Sequence, residues 1–423
     1  MERPSYQTTR LPDGPLIASL SMPWMRSVSF GLWVGVGSRH ETPATNGVSH
    51  FLEHMLFKGT KKRTAREITL EVESVGGDIN AFTSEDHTCF HVKVPTRQLE
   101  RAADVLLDMV AHSRCEKAEL EREREVICEE ILMAMDQPSH RAQEGVTALL
   151  WKGHALGFPI TGTVDSVRGI KHDTLLNHWR THYRPDQLVF TAAGALSHEE
   201  LVEIVRKRLA KSQKATPFTA QPWRERSAKP RVMVAYEDTE QAHVEIGFRT
   251  VDRHDPKRYA LKILSVILGE TMSSRLFQEL REERGWCYNV QTGASAFSDT
   301  GSFGIGMALD VKRLSPALKV VKRELDRLRT RKLTRRELDE AKEYCFGQNV
   351  LGLESTNSQM HWMGESILAY GRVYLPQEAE QGVAETTADD VREAARTFFI
   401  PEKMACAVVG PTKEEAPVRT WMN

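Results

Sequence analysis

Asn80-Ala-Phe-Thr-Ser-Glu-Asp-His-Thr-Cys-Phe-His-Val-Lys-Val94 alternates apolar and polar side chains on either side of a polar turn, the pattern of a half-buried strand pair. Leu99 to Met109 then spaces its apolar residues as an amphipathic helix, and Lys117 to Met135 reads as a longer, glutamate-rich one. The same order returns in the second half. Ser295-Ala-Phe-Ser-Asp-Thr-Gly-Ser-Phe-Gly-Ile-Gly-Met-Ala-Leu309 takes the place of the strand pair, with helices over Leu314 to Leu328 and Thr334 to Val350. The repetition predicts a duplicated domain. Strand pairs grouped ahead of paired helices favour a mixed or antiparallel sheet with helices on one face, so the expected class is α+β, two domains of one kind. Between them runs Ala210-Lys-Ser-Gln-Lys-Ala-Thr-Pro-Phe-Thr-Ala-Gln-Pro-Trp-Arg-Glu-Arg-Ser-Ala-Lys-Pro230, polar, with three prolines and no apolar period. The expected division is a first domain over 1–211, a linker over 212–230 and a second domain over 231–423.

Bulk properties agree with two soluble domains. A chain of 423 residues exceeds what one core normally carries. With 40% hydrophobic and 27% charged residues and a formal net charge of -1, it has no global attraction for nucleic acid or an anionic membrane. No apolar run approaches the roughly 18 residues that a membrane span needs, and the N-terminal stretch lacks the basic start and apolar core of a signal peptide. The six cysteines, Cys89, Cys115, Cys128, Cys287, Cys345 and Cys406, are scattered and form no CxxC pair, which fits reduced thiols and a cytoplasmic location.

The chemistry concentrates in Gly47-Val-Ser-His-Phe-Leu-Glu-His-Met-Leu-Phe57. On a helix, His50 and His54 stand one turn apart on one face, as two ligands of a tetrahedral ion require. Phe51, Leu52, Met55 and Leu56 cover much of the remaining surface. A polar trio on a buried helix is costly unless something satisfies it, and a metal does. Glu53 lies on the flank of the histidine face, placed to accept a proton from water rather than to chelate. H-x-x-E-H is the inverzincin signature, which pairs a zinc ion with a proton-shuttling carboxylate. A third ligand belongs to the acid-crowded helix that contains Glu123, Glu129 and Glu130. Most of its charges form a solvated face of Glu/Arg pairs. Glu123 and Glu130, two turns or roughly 10 Å apart, share one side, so only one of them reaches the ion. Spacing alone leaves Glu129 and Glu130 both open.

Five ordered segments carry a more specific signal: Leu32-Trp-Val-Gly-Val-Gly-Ser-Arg-His-Glu41, His50-Phe-Leu-Glu-His-Met-Leu-Phe-Lys-Gly-Thr60, Gly76-Gly-Asp-Ile-Asn-Ala-Phe-Thr83, Glu123-Arg-Glu-Val-Ile-Cys-Glu-Glu-Ile131 and Ser274-Arg-Leu-Phe-Gln-Glu-Leu-Arg-Glu-Glu-Arg-Gly-Trp-Cys-Tyr288. Over nearly its whole length the chain resembles the pitrilysin/insulinase superfamily of zinc peptidases. Within it, the similarity is to the half-length branch of mitochondrial processing peptidase subunits and their bacterial relatives. The resemblance implies a LuxS/MPP-like metallohydrolase fold and a zinc metalloendopeptidase. It implies Glu130 as the third ligand and Glu123 as the acid that supports the site. Gln348 stands at the place of Glu130 in the second repeat, which has no HxxEH segment, so one Zn2+ per chain is expected.

The resemblance also implies how substrate is held. A short or unfolded peptide adds as a strand to the edge formed by Asn80, Ala81 and Phe82, while Arg281 and Tyr288 of the second domain grip it and place a phenol near the developing oxyanion. A chain of two domains must borrow the opposite wall of the reaction chamber, so a homodimer is expected, with a heterodimer with a related subunit as the alternative. Some family members are non-catalytic subunits of respiratory complexes, and those typically lack the histidines or the acid that this chain retains. His87, His91, His112, His140 and His243 have no chelating spacing and are read as structural.

Overall fold

The computed structural model describes residues 5–12, 14–209, 219–224 and 229–422. Of the expected linker, 212–218 and 225–228 lie outside the described residues. The chain forms two sheets. The first contains β1 (Tyr6–Arg10), β2 (Leu16–Ser21), β3 (Ser27–Val34), β4 (Asp78–Thr83), β5 (Thr88–Pro95) and β6 (Leu188–Gly194), in the order β1-β2-β6-β3-β5-β4. The second contains β7 (Arg231–Tyr236), β8 (Ala242–Thr250), β9 (Cys287–Ala296), β10 (Gly301–Leu309) and β11 (Met404–Gly410), in the order β7-β11-β8-β10-β9. Without β1 the two orders correspond strand for strand. Each sheet has one parallel pair, β2 with β6 and β7 with β11, and is otherwise antiparallel. The α+β class and the duplication are as the sequence pattern predicts. β4 and β9 are corresponding edge strands.

The strand period explains how the first sheet is covered. Val28, Phe30, Leu32 and Val34 alternate along β3 onto one face, where they join Phe51, Leu52, Met55 and the helix Leu99–His112 in the largest core of this unit. Trp33 points to the other face and is fully buried there with Met360, Met363 and Ile367. Those three belong to the helix Thr356–Tyr370, which arrives from far down the chain. Glycines make the approach possible. A Cβ on Gly364 would lie 2.0 Å from the Trp33 ring, and one on Gly31 would lie 2.4 Å from the Met360 sulfur. Trp33 Nε1 donates to Thr191 Oγ1 at 2.8 Å, and Thr191 Oγ1 donates to the Met360 carbonyl at 3.0 Å, so the indole is satisfied where it is buried.

The second sheet uses the same device. The helix Pro138–Leu150 lies on it through Val146 and Leu150 against Ala405 and Ala407, and a Cβ on Gly145 would meet the Met233 side chain at 2.2 Å. Each sheet therefore carries one helix on its second face in addition to the helices expected on the first. The compact units are discontinuous in consequence. One comprises 1–132, 158–221 and 350–374, the other 133–157, 222–349 and 375–423, so the packing divides the chain differently from the contiguous ranges 1–211 and 231–423. All six cysteines are buried and unpaired. Among the described residues no helix is long and apolar enough to cross a membrane.

Candidate metal centre

The HFLEH segment forms the helix Val48–Leu56. Phe51, Leu52, Met55 and Leu56 are fully buried in the core, which turns His50, Glu53 and His54 toward the helix Lys117–Met135. That helix contributes Glu123, almost fully buried, and Glu130, partly exposed. Glu129 points to solvent.

Glu130 sits opposite both histidines. Its Oε1 lies 3.9 Å from His50 Nε2, and its Oε2 lies 3.6 Å from His54 Nε2. One donor atom from each of the three residues falls within 4.8 Å of the others, and among the described residues no other group of three His, Cys, Asp or Glu side chains does so. Tetrahedral metal–ligand bonds of about 2.0–2.1 Å place donors roughly 3.3 Å apart, so a small contraction closes this set around one zinc ion. The chemistry of the donors fits as well. His54 Nδ1 lies 2.9 Å from Glu123 Oε1, and Lys58 Nζ lies 2.6 Å from Glu123 Oε2. Burial raises the Glu123 pKa, but the hydrogen bonds from His54 and Lys58 outweigh it and hold the carboxyl below its ordinary value. An ionised Glu123 can only accept, so His54 Nδ1 is the donor of this bond and Nε2 is the nitrogen turned toward Glu130. Burial, reinforced by neighbouring His54, pushes His50 down to about 3 and keeps its ring neutral, the ligand form.

Glu53 is held differently. Its Oε2 accepts from Thr83 Oγ1 at 2.5 Å. Burial raises its pKa above the ordinary carboxylate value, the nearby Glu130 adds to the rise, and the Thr83 hydrogen bond and His54 oppose it. Thr83 ends β4, so the edge strand that carries Asn80, Ala81 and Phe82 meets the helix of the histidines at this bond. Within β4, the exposed Asn80 accepts the Ala81 N–H on its Oδ1 at 2.8 Å. Phe82 turns to the other face, edge-on to Trp33 and His361.

Arg281 and Tyr288 belong to the second unit. Arg281 lies in the short wide helix Phe277–Glu282, which closes at Gly285, φ 60°, with the Gly285 N–H on the Arg281 carbonyl and the Trp286 N–H on that of Leu280. The turn brings Arg281 Cζ to 5.0 Å from the centroid of the Tyr288 ring, and Tyr288, at the start of edge strand β9, is 78% exposed. Gln348 stands in the helix Arg335–Gly352 at the position that Glu130 holds in Lys117–Met135. Sequence reasoning had no role for Lys58 or for the Thr83 hydroxyl. Both lie inside quoted segments, yet nothing in their spacing shows which carboxylate they reach.

The family profile described as insulinase (peptidase family M16) matches residues 16–164, and that described as the peptidase M16 inactive domain matches residues 169–345. A Streptomyces coelicolor protein named as an uncharacterized zinc protease is 38% identical over 98% of this chain and 92% of its own length. The Bacillus subtilis protein named uncharacterized zinc protease YmxG is 35% identical, covering 95% of this chain and 97% of its own. Among solved structures, a protease from Helicobacter pylori shares the fold with a TM-score of 0.90 at 20% identity, over 96% of this chain and 100% of that one. A chain of complex III from Candida albicans does so with a TM-score of 0.87 at 19% identity, over 98% and 99%.

Proposed function

Since this chain belongs to the insulinase family of peptidases, family M16, we propose that it is a zinc metalloendopeptidase whose metal is held by His50, His54 and Glu130. The observation that carries this reading is the convergence of those three side chains with Glu53 beside them. Zinc bound there supplies Lewis acidity, acidifying water and polarising the scissile carbonyl. Glu53 accepts a proton from the attacking water on its free Oε1 while Thr83 holds Oε2, and returns it to the departing amide nitrogen. Glu123 acts through His54, fixing that ring's tautomer and direction.

Substrate is a short or unfolded peptide that adds to β4 as a further strand, with Asn80 releasing the Ala81 N–H to the incoming backbone. Arg281 and Tyr288 act at the zinc of a second copy in a homodimer, the arginine on substrate carbonyls and the phenol on the developing oxyanion. One zinc per chain and a cytoplasmic setting complete the reading. The second repeat, with Gln348 in place of an acid, serves as the wall that binds substrate.

The experiment pairs metal analysis with peptidase assay on wild type and Glu53→Gln. Retained zinc with cleavage lowered by at least about a hundredfold is expected. Cleavage at the wild-type rate by a zinc-loaded Glu53→Gln protein would sink the assignment of Glu53.

A further inference from the structure

The helix Val48–Leu56 begins without a cap of its own. Gly47 occupies the N-cap position with φ of 91°, and a Cβ there would lie 2.7 Å from the Thr161 carbonyl oxygen and 3.0 Å from Gly162 Cα. Close backbone packing thus demands glycine, and the serine or aspartate side chain that normally accepts the free N–H groups of the first turn is excluded. The acceptor comes instead from six residues upstream. Glu41 Oε2 takes the Gly47 N–H at 2.7 Å and the Asn46 amide at 3.1 Å, and its Oε1 takes the Ser49 N–H at 2.9 Å. Glu41 is only 7% exposed and faces the positive end of the helix.

His50 follows Ser49 directly. The two histidines differ in how they are held: the His54 ring is fixed by Glu123, whereas the buried His50 Nδ1 has no hydrogen-bond partner among the described residues. The His50 ring meets that of His54 edge-on with 4.6 Å between centroids. Its direction is set by its packing and by the backbone of the turn that Glu41 clamps.

We propose that Glu41 is the positioning residue for His50: by capping the first helical turn from outside, it holds the His50 side chain where its Nε2 faces Glu130. The inference rests on the reading of His50 as a zinc ligand. It makes zinc affinity depend on a carboxylate that never touches the metal.

The test compares the full chain with Glu41→Gln, which keeps the shape, and Glu41→Asp, which keeps the carboxyl group but draws it back by one methylene. The control is Thr64→Ala, which removes an ordinary N-cap from the neighbouring helix Ala65–Glu73. Zinc dissociation constants are read by competition with a chromophoric chelator, ligand geometry by the visible spectrum of the Co2+-substituted protein, and fold by melting of the metal-free protein. Glu41→Gln and Glu41→Asp are expected to lose about 10- to 100-fold in zinc affinity with altered Co2+ bands. Thr64→Ala is expected to bind as wild type although its metal-free form melts lower. Affinity within about twofold of wild type in both Glu41 variants overturns the proposal, as does an equal loss in Thr64→Ala. Failure of both Glu41 variants to fold also counts against it, because a residue required by the whole fold is not a positioning residue. A wild-type protein that binds no zinc overturns the underlying reading instead.

Discussion

The Thr83 hydroxyl donates to Oε2 of Glu53 at 2.5 Å, tying the last residue of edge strand β4 to the carboxylate next to His54. This bond opposes the rise that burial imposes on Glu53. Replacing Thr83 by valine removes it at nearly constant volume, so the Glu53 pKa moves further up and, as pH falls, the ionised base is lost at a higher pH than in wild type. The acid limb of the kcat/KM profile is expected to shift to higher pH, and kcat/KM at neutral pH to fall about tenfold, with zinc content unchanged. An unmoved acid limb would show that Thr83 does not tune the base.

Glu123→Gln addresses the other side of the centre. The amide keeps the shape but no longer accepts from His54 and Lys58 as a carboxylate. Zinc affinity is expected to fall about 10- to 100-fold, measured by chelator competition. Glu129→Gln, at an exposed position one residue from Glu130, serves as the neutral comparison and is expected to bind zinc as wild type.

Mixing two inactive proteins tests the borrowed wall. If Tyr288 serves the zinc of a second copy, dissociating and re-forming dimers from Glu53→Gln and Tyr288→Phe creates one intact site in each mixed dimer. Activity should return to roughly a quarter of the wild-type level. If Tyr288 serves its own chain, or the protein is a monomer, mixing restores nothing.

His361 gives a prediction independent of the metal. It packs on Phe82, His91 and Trp33, and burial, with His91 and His87 adding to it, lowers its pKa to about 4. A neutral histidine in the folded protein opposes an unfolded-state value near 6.5. The stability it contributes is therefore complete above about pH 6.5 and is lost as pH falls toward 4, because the unfolded chain binds the proton first. Tm measured without zinc should fall across that range. His361→Phe, which keeps a ring among aromatic neighbours, should flatten the fall. An identical slope in the variant would assign the effect to other groups.

Much of the architecture is legible in the sequence because its signals are local. The helix Lys117–Met135 appears with both expected ends, and Leu99 opens its helix as the periodicity predicts. β9 starts at Cys287 rather than near Ser295, since most of its side chains are exposed and an edge strand of this kind has no alternation to read. The helix on the second face of each sheet was not legible at all. Met360, Met363 and Ile367 show an apolar stripe, but its destination is Trp33 of β3, and nothing local connects Gly364 with that ring. The candidate site divides in the same way. His50 and His54 declare themselves by spacing within one helix. The choice between Glu129 and Glu130 depends on which way the helix Lys117–Met135 faces, which only the resemblance could supply before the fold was known. The link from Glu41 to Ser49 is hidden because its acceptor lies outside the helix that it caps.

The helix Thr356–Tyr370, laid over Trp33, also has a temporal meaning. During synthesis the first sheet can form its strands and bury one face once β6 has emerged, but its second face stays bare until residues near Tyr370 leave the ribosome. A nascent chain halted at the interdomain stretch would present the Trp33 face as open apolar surface. Stalled or truncated products of this gene are thus expected to need chaperone cover, and the proposed zinc ligands are translated long before the unit holding them can close.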